Sequence, residues 1–269
     1  MVPTSQQQTT GFLVISDTHG KWPYAEETSP KVDVLLHCWD LTQFGGLPSF
    51  KRAMENIKST DAELKLVIAG NHDLELDEDW VRRNIEESDV EQKMEEVEES
   101  RCCVEYIKSL KDFGVHYLEE GVHNFTLKTG RSISIYASPY TPEFHGYAFS
   151  YAEDEDRFND GPHQIPAGVD IVITHGPPQM TCSYRASLCI DKLKDGQHFG
   201  CLHCFGHVHE GHGIVRVGWD PSNEHDPSFE EIETGSVYLV KGQKETMILN
   251  AAISKEGDKG ILVDMNLSG

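Results

Sequence analysis

Short apolar runs alternate with polar loops along most of the chain. They predict strands at Phe12–Ser16, Val32–His37, Leu64–Ala69, Val122–Thr129, Ser132–Ala137, Val169–Thr174, Leu202–Phe205, Gly213–Val217, Val237–Val240, Met247–Ala251 and Gly260–Val263. Two segments carry helical spacing instead. One runs from about Pro48 to Ser59, after the Gly45–Gly46 pair. In the other, between Glu86 and Phe113, Val90, Met94, Val97, Val104, Ile107 and Leu110 share one face. The stretch from Glu75 to Glu99 is densely acidic, which reads as a solvated face over an apolar stripe. Two loops rich in Pro, Gly, Asp and His, Ser138–Gly168 and Trp219–Gly235, separate later strands, and no repeat or low-complexity linker divides the chain. The pattern predicts one α/β domain over residues 1–269, with two sheets packed face to face, helices outside and an acidic helical insertion at about 75–113.

Composition narrows the classes of function. The 269 residues include 45 acidic against 23 basic side chains, a formal net charge of −22. Non-specific binding to nucleic acid or to an anionic membrane needs clustered Lys and Arg, so neither is expected. No apolar stretch approaches the roughly 20 residues that span a bilayer, and no basic or apolar leader precedes the first strand. The seven cysteines are irregularly spaced, which suits a reducing compartment, and a cytoplasmic protein is expected. Cys201 and Cys204 form a CxxC, but no second half of a zinc ribbon is evident, so the thiols read as buried or incidental.

Chemistry enters where the strands stop. FLVIS ends in Asp17-Thr18-His19-Gly20, VDVLLHC in Trp39-Asp40-Leu41-Thr42, and LKLVIAG in Asn71-His72-Asp73. IVIT ends in His175-Gly176-Pro177-Pro178, and LHCFG in His207-Val208-His209. Alone, each residue reads as a turn former, a cap or a hydrogen-bonded surface group. Together, five strands stop at metal-competent or acid–base side chains, and in open α/β sheets ligands sit beyond the carboxyl ends of strands. A pair of divalent cations needs such a set, since two metals can clamp the attacking and leaving oxygens of a phosphoryl displacement. Imidazoles with carboxylates suit zinc, iron or manganese rather than calcium. One carboxylate must bridge the ions, and Asp40 is the natural candidate.

The order DTH, WD, GNHD, THG and GHVH resembles the signature of the calcineurin-like metallophosphoesterase superfamily. Within it, HCWDLT, ASPYTPEF, ITHGPP, CFGHVHEG and LNAAI resemble the metallophosphoesterase-domain brain proteins and their fungal and bacterial relatives, from about Phe12 to Ile253. The resemblance implies a four-layer sandwich of two packed mixed β-sheets flanked by helices, with the metals at one edge. It also implies that Asp17, His19, Asp40 and His209 ligate one ion and Asp40, Asn71, His175 and His207 the other. His72 would then protonate the leaving oxygen as a general acid, and Asp73 would orient that imidazole or support the ligands from behind. Hydroxide generated between the ions would attack phosphorus in line, with no covalent intermediate.

Protein phosphatases of the superfamily carry GDxVDRG, whereas this chain reads Trp39-Asp40-Leu41-Thr42-Gln43-Phe44. A small phosphodiester, cyclic or otherwise nucleotide-like, is therefore the expected substrate. The alternatives are a phosphomonoester or protein phosphatase and a low-turnover scaffold that binds metal and nucleotide. Trp39 stands where most members have Gly, and either overhangs the metals to stack on a substrate ring or fills a neighbouring gap. The segment between His175 and His207 looks shorter than in relatives and carries Tyr184 and Arg185, the latter a candidate phosphate contact. Tyr140 and Phe144 are candidate walls of the pocket. Two divalent ions against Asp17, Asp40 and a hydroxide leave about +1 locally, so anion binding is expected to depend on the metals.

Overall fold

The computed structural model describes residues 9–43, 45–84, 90–158, 161–177, 202–218, 228–232, 237–240 and 245–267. Four parallel strands open the fold: β1 (Thr10–Ile15), β2 (Val32–His37), β3 (Ala62–Val67) and β4 (Val115–Tyr117). The last four residues of each of the first three are all buried, as in strands covered on both faces, and they include His37 of β2 and Lys65 of β3. An antiparallel hairpin of β5 (Gly121–Thr126) and β6 (Ser132–Ser138) then begins a second sheet. Two short strands, β7 (Thr141–Pro142) and β8 (Ser150–Tyr151), pair with each other in the loop beyond it. The remaining strands are β9 (Ile171–Thr174), β10 (Leu202–Phe205), β11 (Gly213–Gly218), β12 (Ser228–Ile232), β13 (Tyr238–Val240), β14 (Glu245–Asn250) and β15 (Ile261–Met265). The first sheet has the order β13-β15-β1-β2-β3-β4 and the second β12-β11-β14-β10-β9-β6-β5, both mixed.

One apolar core joins the sheets. Phe12, Leu35 and Leu66 of the first lie in the same buried cluster as Ile135, Ile173 and Leu249 of the second. The same cluster takes in Phe50, Met54 and Ile57 from helix α1 (Leu47–Ser59). After α2 (Glu78–Asn84), helix α3 (Val90–Ser109) adds Cys103 and Ile107. A second cluster, including Tyr136, Val172, Phe205 and Ile248, is closed by Tyr151, Phe158 and Ile165 from the segment between β6 and β9. The mixed α/β architecture of two large packed sheets flanked by helices is thus the one expected.

Differences lie at the ends and in the insertion. All eleven expected strands form, Val32–His37 and Leu202–Phe205 as expected and the other nine with shifted bounds, whereas β4, β7, β8 and β12 were not expected. The second helical segment forms as α3 within the expected span and gives way at Ser109 to a 3-10 turn over Leu110–Phe113, while the short α2, ending at Asn84, precedes it. Met94 is 69% exposed and lies outside the buried stripe, whereas Val97 is buried against Val81 and Trp80 of α2. Part of the acidity also has structural work. Helix α1 has no side-chain cap of its own, and the Glu75 and Glu99 carboxylates accept the amides of Gly46 and Leu47. Gly45 and Gly46 take φ of 74° and 90°, and a Cβ on Gly45 would overlap the Glu75 carboxylate.

Candidate metal centre

The carboxyl ends of β1, β2, β3, β9 and β10 meet at one edge of the sandwich. Asp17 follows β1 by two residues, and its carboxylate accepts the backbone N–H of His207 at 2.9 and 3.1 Å. Asp40 follows β2 by three residues and accepts the backbone N–H of His72 at 3.0 Å. Its Oδ1 lies 3.5 Å from His175 Nε2 and its Oδ2 3.9 Å from His19 Nε2, so each oxygen faces a different imidazole. His19 Nε2 is 3.3 Å from His209 Nε2, which lies 3.5 Å from Asp17 Oδ1. Asn71 Oδ1 faces two rings, His175 Nε2 at 2.7 Å and His207 Nδ1 at 2.9 Å. Two sets of potential ligand atoms result, Asp17–His19–His209 and Asp17–Asp40–His175, each within 4.8 Å and sharing Asp17.

The backbone is bent to hold these groups. Asp17, His19, Trp39, Asp40 and His207 all have φ between 44° and 99°, five of the seven such non-glycine positions among the described residues. Conformations of this kind persist only where surroundings enforce them, and they cluster at functional sites. Two glycines make room. A Cβ on Gly70 would meet the Asp40 carboxylate and the His175 ring, and one on Gly206 would overlap Asp17 and Ser16.

The electrostatics fit cations. Burial, reinforced by Asp40, raises the Asp17 carboxyl to about 6, and burial raises Asp40 to about 6 as well. Burial also pushes His19 down to about 4 and His207 to about 3, and lowers His175, keeping these rings neutral as ligands must be. His19 Nδ1–H donates to the Thr42 carbonyl and His175 Nδ1–H to that of Cys38, which turns both Nε2 lone pairs into the site. Two crowded carboxylates, four imidazoles and an amide oxygen form a donor set for two borderline divalent cations.

The residues beside the ligand set fall less simply. His72 sits at the rim, 5.1 Å from the His19 ring, with Nδ1–H on the Gln43 carbonyl at 3.2 Å. Asp73 therefore does not orient His72. It is buried, accepts the amides of Gly70 and Thr42, and so ties together the loops that carry Asn71 and Asp40; burial and its acidic neighbours raise its carboxyl well above the usual range. Trp39 as a substrate contact is also corrected. Its side chain is 0% exposed, tucked against His37 and Tyr117, so it fills the gap behind the site. Tyr140 packs under the Arg157 guanidinium at 3.9 Å and against Phe149. Phe144 is 58% exposed, and Tyr184 and Arg185 lie outside the described residues.

Sequence reasoning missed Tyr147, whose ring lies 4.6 Å from that of His72. No pattern in the long loop distinguishes it. Asn250 was missed as well, although it lies in the LNAAI motif: its amide donates to the Val208 carbonyl between His207 and His209 at 2.7 Å.

The model of the calcineurin-like phosphoesterase family matches residues 11–211, about three quarters of the chain. The chain belongs to this family. The family is one of metal-dependent phosphoesterases, and the Asp/His cluster is this chain's candidate metal site. It is 32% identical over 225 residues to human metallophosphoesterase domain-containing protein 1, covering 78% of this chain and 63% of that protein. A UPF0046 protein of Caenorhabditis elegans is 29% identical over 226 residues, 77% of this chain and 71% of the other. A similar match, 30% over 222 residues, runs to probable rhamnogalacturonate lyase C of Emericella nidulans. It spans 80% of this chain but 19% of that protein, so the lyase name carries nothing to this calcineurin-like chain. The four cysteines among the described residues, Cys38, Cys102, Cys103 and Cys204, are free thiols, and no described helix is long and apolar enough to cross a membrane.

Proposed function

We propose that the protein hydrolyses a small, nucleotide-like phosphodiester at two divalent cations. The observation that carries this reading is the pair of carboxylate–imidazole groups sharing Asp17, with the His72 ring at their rim. Asp17, His19, Asp40 and His209 would hold one cation, and Asp40, Asn71, His175 and His207 the other. When bound, manganese, iron or zinc supplies Lewis acidity and makes water nucleophilic near neutral pH. The chain does the rest. Carbonyl acceptors fix the His19 and His175 tautomers, and Asp73 holds the two ligand loops together. His72, anchored through Nδ1–H on Gln43 and braced by Tyr147, would, as the imidazolium, pass its Nε2 proton to the departing oxygen and be left neutral with Nδ1–H still on Gln43. Absence of the GDxVDRG element favours a diester over a phosphoprotein.

Steady-state hydrolysis of bis(p-nitrophenyl) phosphate with Mn²⁺ tests this reading. The wild type is expected to prefer it to p-nitrophenyl phosphate, and Asp40→Ala to lose at least about a hundredfold in kcat/KM, the upper end of what outer-shell losses cost. No turnover with manganese, iron or zinc would sink the enzyme reading, and a preference for the monoester the diester one.

A further inference from the structure

The loop that joins β7 to β8 supplies no metal-ligand candidate, yet it sets the Tyr147 ring 4.6 Å from that of His72, tilted by 39°. An imidazole held by one hydrogen bond can still turn about it. With Nδ1–H on the Gln43 carbonyl, a ring contact is the second constraint, and it fixes where Nε2 points. Tyr147 provides that contact. Displacing a reacting group by about 1 Å can cost about a hundredfold in rate, so whatever holds this ring bears on the acid step.

The loop itself is gripped on both sides of Tyr147. Trp80 Nε1–H donates to the Gly146 carbonyl at 2.7 Å, and the Asp77 carboxylate accepts the Phe149 N–H at 3.0 Å. Inside the loop, the Gly146 N–H donates to the Glu143 carboxylate at 2.7 Å. His145 and Phe149, two residues to either side of Tyr147, have φ of 54° and 51°. They are the two left-handed non-glycine positions among the described residues that the metal centre does not account for, and such backbone persists only where its surroundings enforce it. Both grips come from the acidic insertion. The other oxygen of Asp77 accepts the Trp80 N–H at 2.9 Å at the start of α2, and a 3-10 turn over Leu74–Leu76 joins Asp77 to the segment of His72. The contacts close a circuit: from His72 along the chain to Asp77 and Trp80, across to Gly146 and Phe149, and back through Tyr147 to the His72 ring.

We propose that Tyr147 is a positioning residue for the His72 imidazole, and that the insertion acts on the reaction through the grip of Trp80 and Asp77 on the Tyr147 loop. The inference rests on the reading of His72 as the acid of phosphodiester hydrolysis and names what aims that acid. It also gives the insertion a part in the chemistry, although none of its residues lies in the ligand set.

Two diesters test it on the full chain with Mn²⁺: bis(p-nitrophenyl) phosphate, and diphenyl phosphate, whose phenolate leaves less readily and so depends more on the acid. Tyr147→Ala is expected to lower kcat on diphenyl phosphate by about tenfold, a part of what a positioned acid contributes, and on the nitrophenyl ester far less. Tyr147→Phe keeps the ring and should retain most of the rate. Combined with His72→Ala, the Tyr147→Ala change should add no further loss, because a residue acting through another is not additive with it. Trp80→Phe keeps a ring in place but removes the N–H donor; it should repeat the Tyr147→Ala pattern at about threefold, within the worth of one hydrogen bond. Proton NMR of the metal-free chain gives a readout apart from turnover. The His72 ring signals, identified by their loss in His72→Ala, should shift in Trp80→Phe as they do in Tyr147→Ala. Equal losses on the two esters, a further loss in the double variant, or His72 signals unmoved by Trp80→Phe overturns the proposal. If that happens while the wild type hydrolyses both esters, the phosphoesterase reading stands and the positioning role alone falls. A wild type that hydrolyses neither ends both.

Discussion

His72 and Trp39 are neighbours of metal-ligand candidates, yet the structure gives them opposite surroundings. His72 is at the rim with one nitrogen anchored on Gln43 and its face against Tyr147. A general acid matters most when the leaving group is a poor one, because the proton must arrive as the bond breaks. His72→Ala is therefore expected to lower kcat on an alkyl phosphodiester by about 10²–10⁴-fold, and on a p-nitrophenyl diester by far less. Equal losses in the two assays would count against the acid role. Trp39, wholly buried at φ 99°, presents the opposite problem. Truncation to Ala removes a large core side chain, at about 3–5 kcal/mol, and leaves a Cβ in a conformation that favours glycine. Trp39→Gly keeps the cavity but relieves that strain, by about 1–2 kcal/mol. Urea midpoints should thus rank wild type above Gly above Ala, the reverse of the usual Gly–Ala order inside an element. Ala above Gly would remove the strain argument.

At the scale of elements, the strand ends decide the centre, and these were legible. β1, β2, β3, β9 and β10 are short, mainly apolar runs that break at Asp, Asn or His, and the break itself marks the ligands. The two- and three-residue strands β4, β7 and β8 had no such signal, since so few residues establish no period. The acidic insertion misled for a related reason. Charge density suggested solvent, but Glu75 and Glu99 satisfy the start of α1, a contact spanning distant parts of the chain. Asp73 lies next to His72 in sequence but binds the amides of Gly70 and Thr42 instead, because the turn after β3 points its carboxylate inward. Gly206 shows how closely β10 must approach β1. Its N–H donates to the His175 carbonyl at 2.9 Å, and an added Cβ would press on Asp17 and Ser16. Gly206→Ala should therefore displace Asp17 and weaken Mn²⁺ binding by about 10–100-fold, as disturbed supporting groups do elsewhere. Titration of the two proteins with Mn²⁺, followed by the free-ion electron-spin signal, measures this; equal affinities would show that the loop yields instead.

Across the whole molecule, burial has driven histidines and carboxyls in opposite directions, and the balance sets the acid sensitivity of the metal-free protein. His37, His203 and His207 are pushed to about 3 and His19 to about 4, while His175 is also lowered, each chiefly by desolvation. A histidine with a depressed folded pKa binds its proton mainly when unfolded, so its stabilising contribution is full above about 6.5 and is lost as pH falls toward the folded value. Asp17 and Asp40, raised to about 6, and Asp73, raised further, act with the other sign: their protons are held in the folded state, and stability falls as pH rises above about 4. Five imidazoles oppose three carboxyls, so the unfolded chain takes up the greater number of protons between about pH 4 and 6.5. Each proton of difference contributes about 1.4 kcal/mol per pH unit. Repulsion within a chain of net charge −22 works against this slope as pH climbs away from the isoelectric point near 4.9. Salt separates the two effects, because it screens surface charge much more than buried groups. In about 0.5 M salt, where the screening length is only a few ångströms, the urea midpoint of the metal-free protein should rise steadily from pH 4.5 to 6.5. Saturating Mn²⁺ should steepen the rise, since it demands Asp17 and Asp40 ionised and the imidazoles neutral, releasing the carboxyl protons that flattened it. A midpoint that falls with pH without metal, or a slope that Mn²⁺ leaves unchanged, would show that these buried groups do not control the balance.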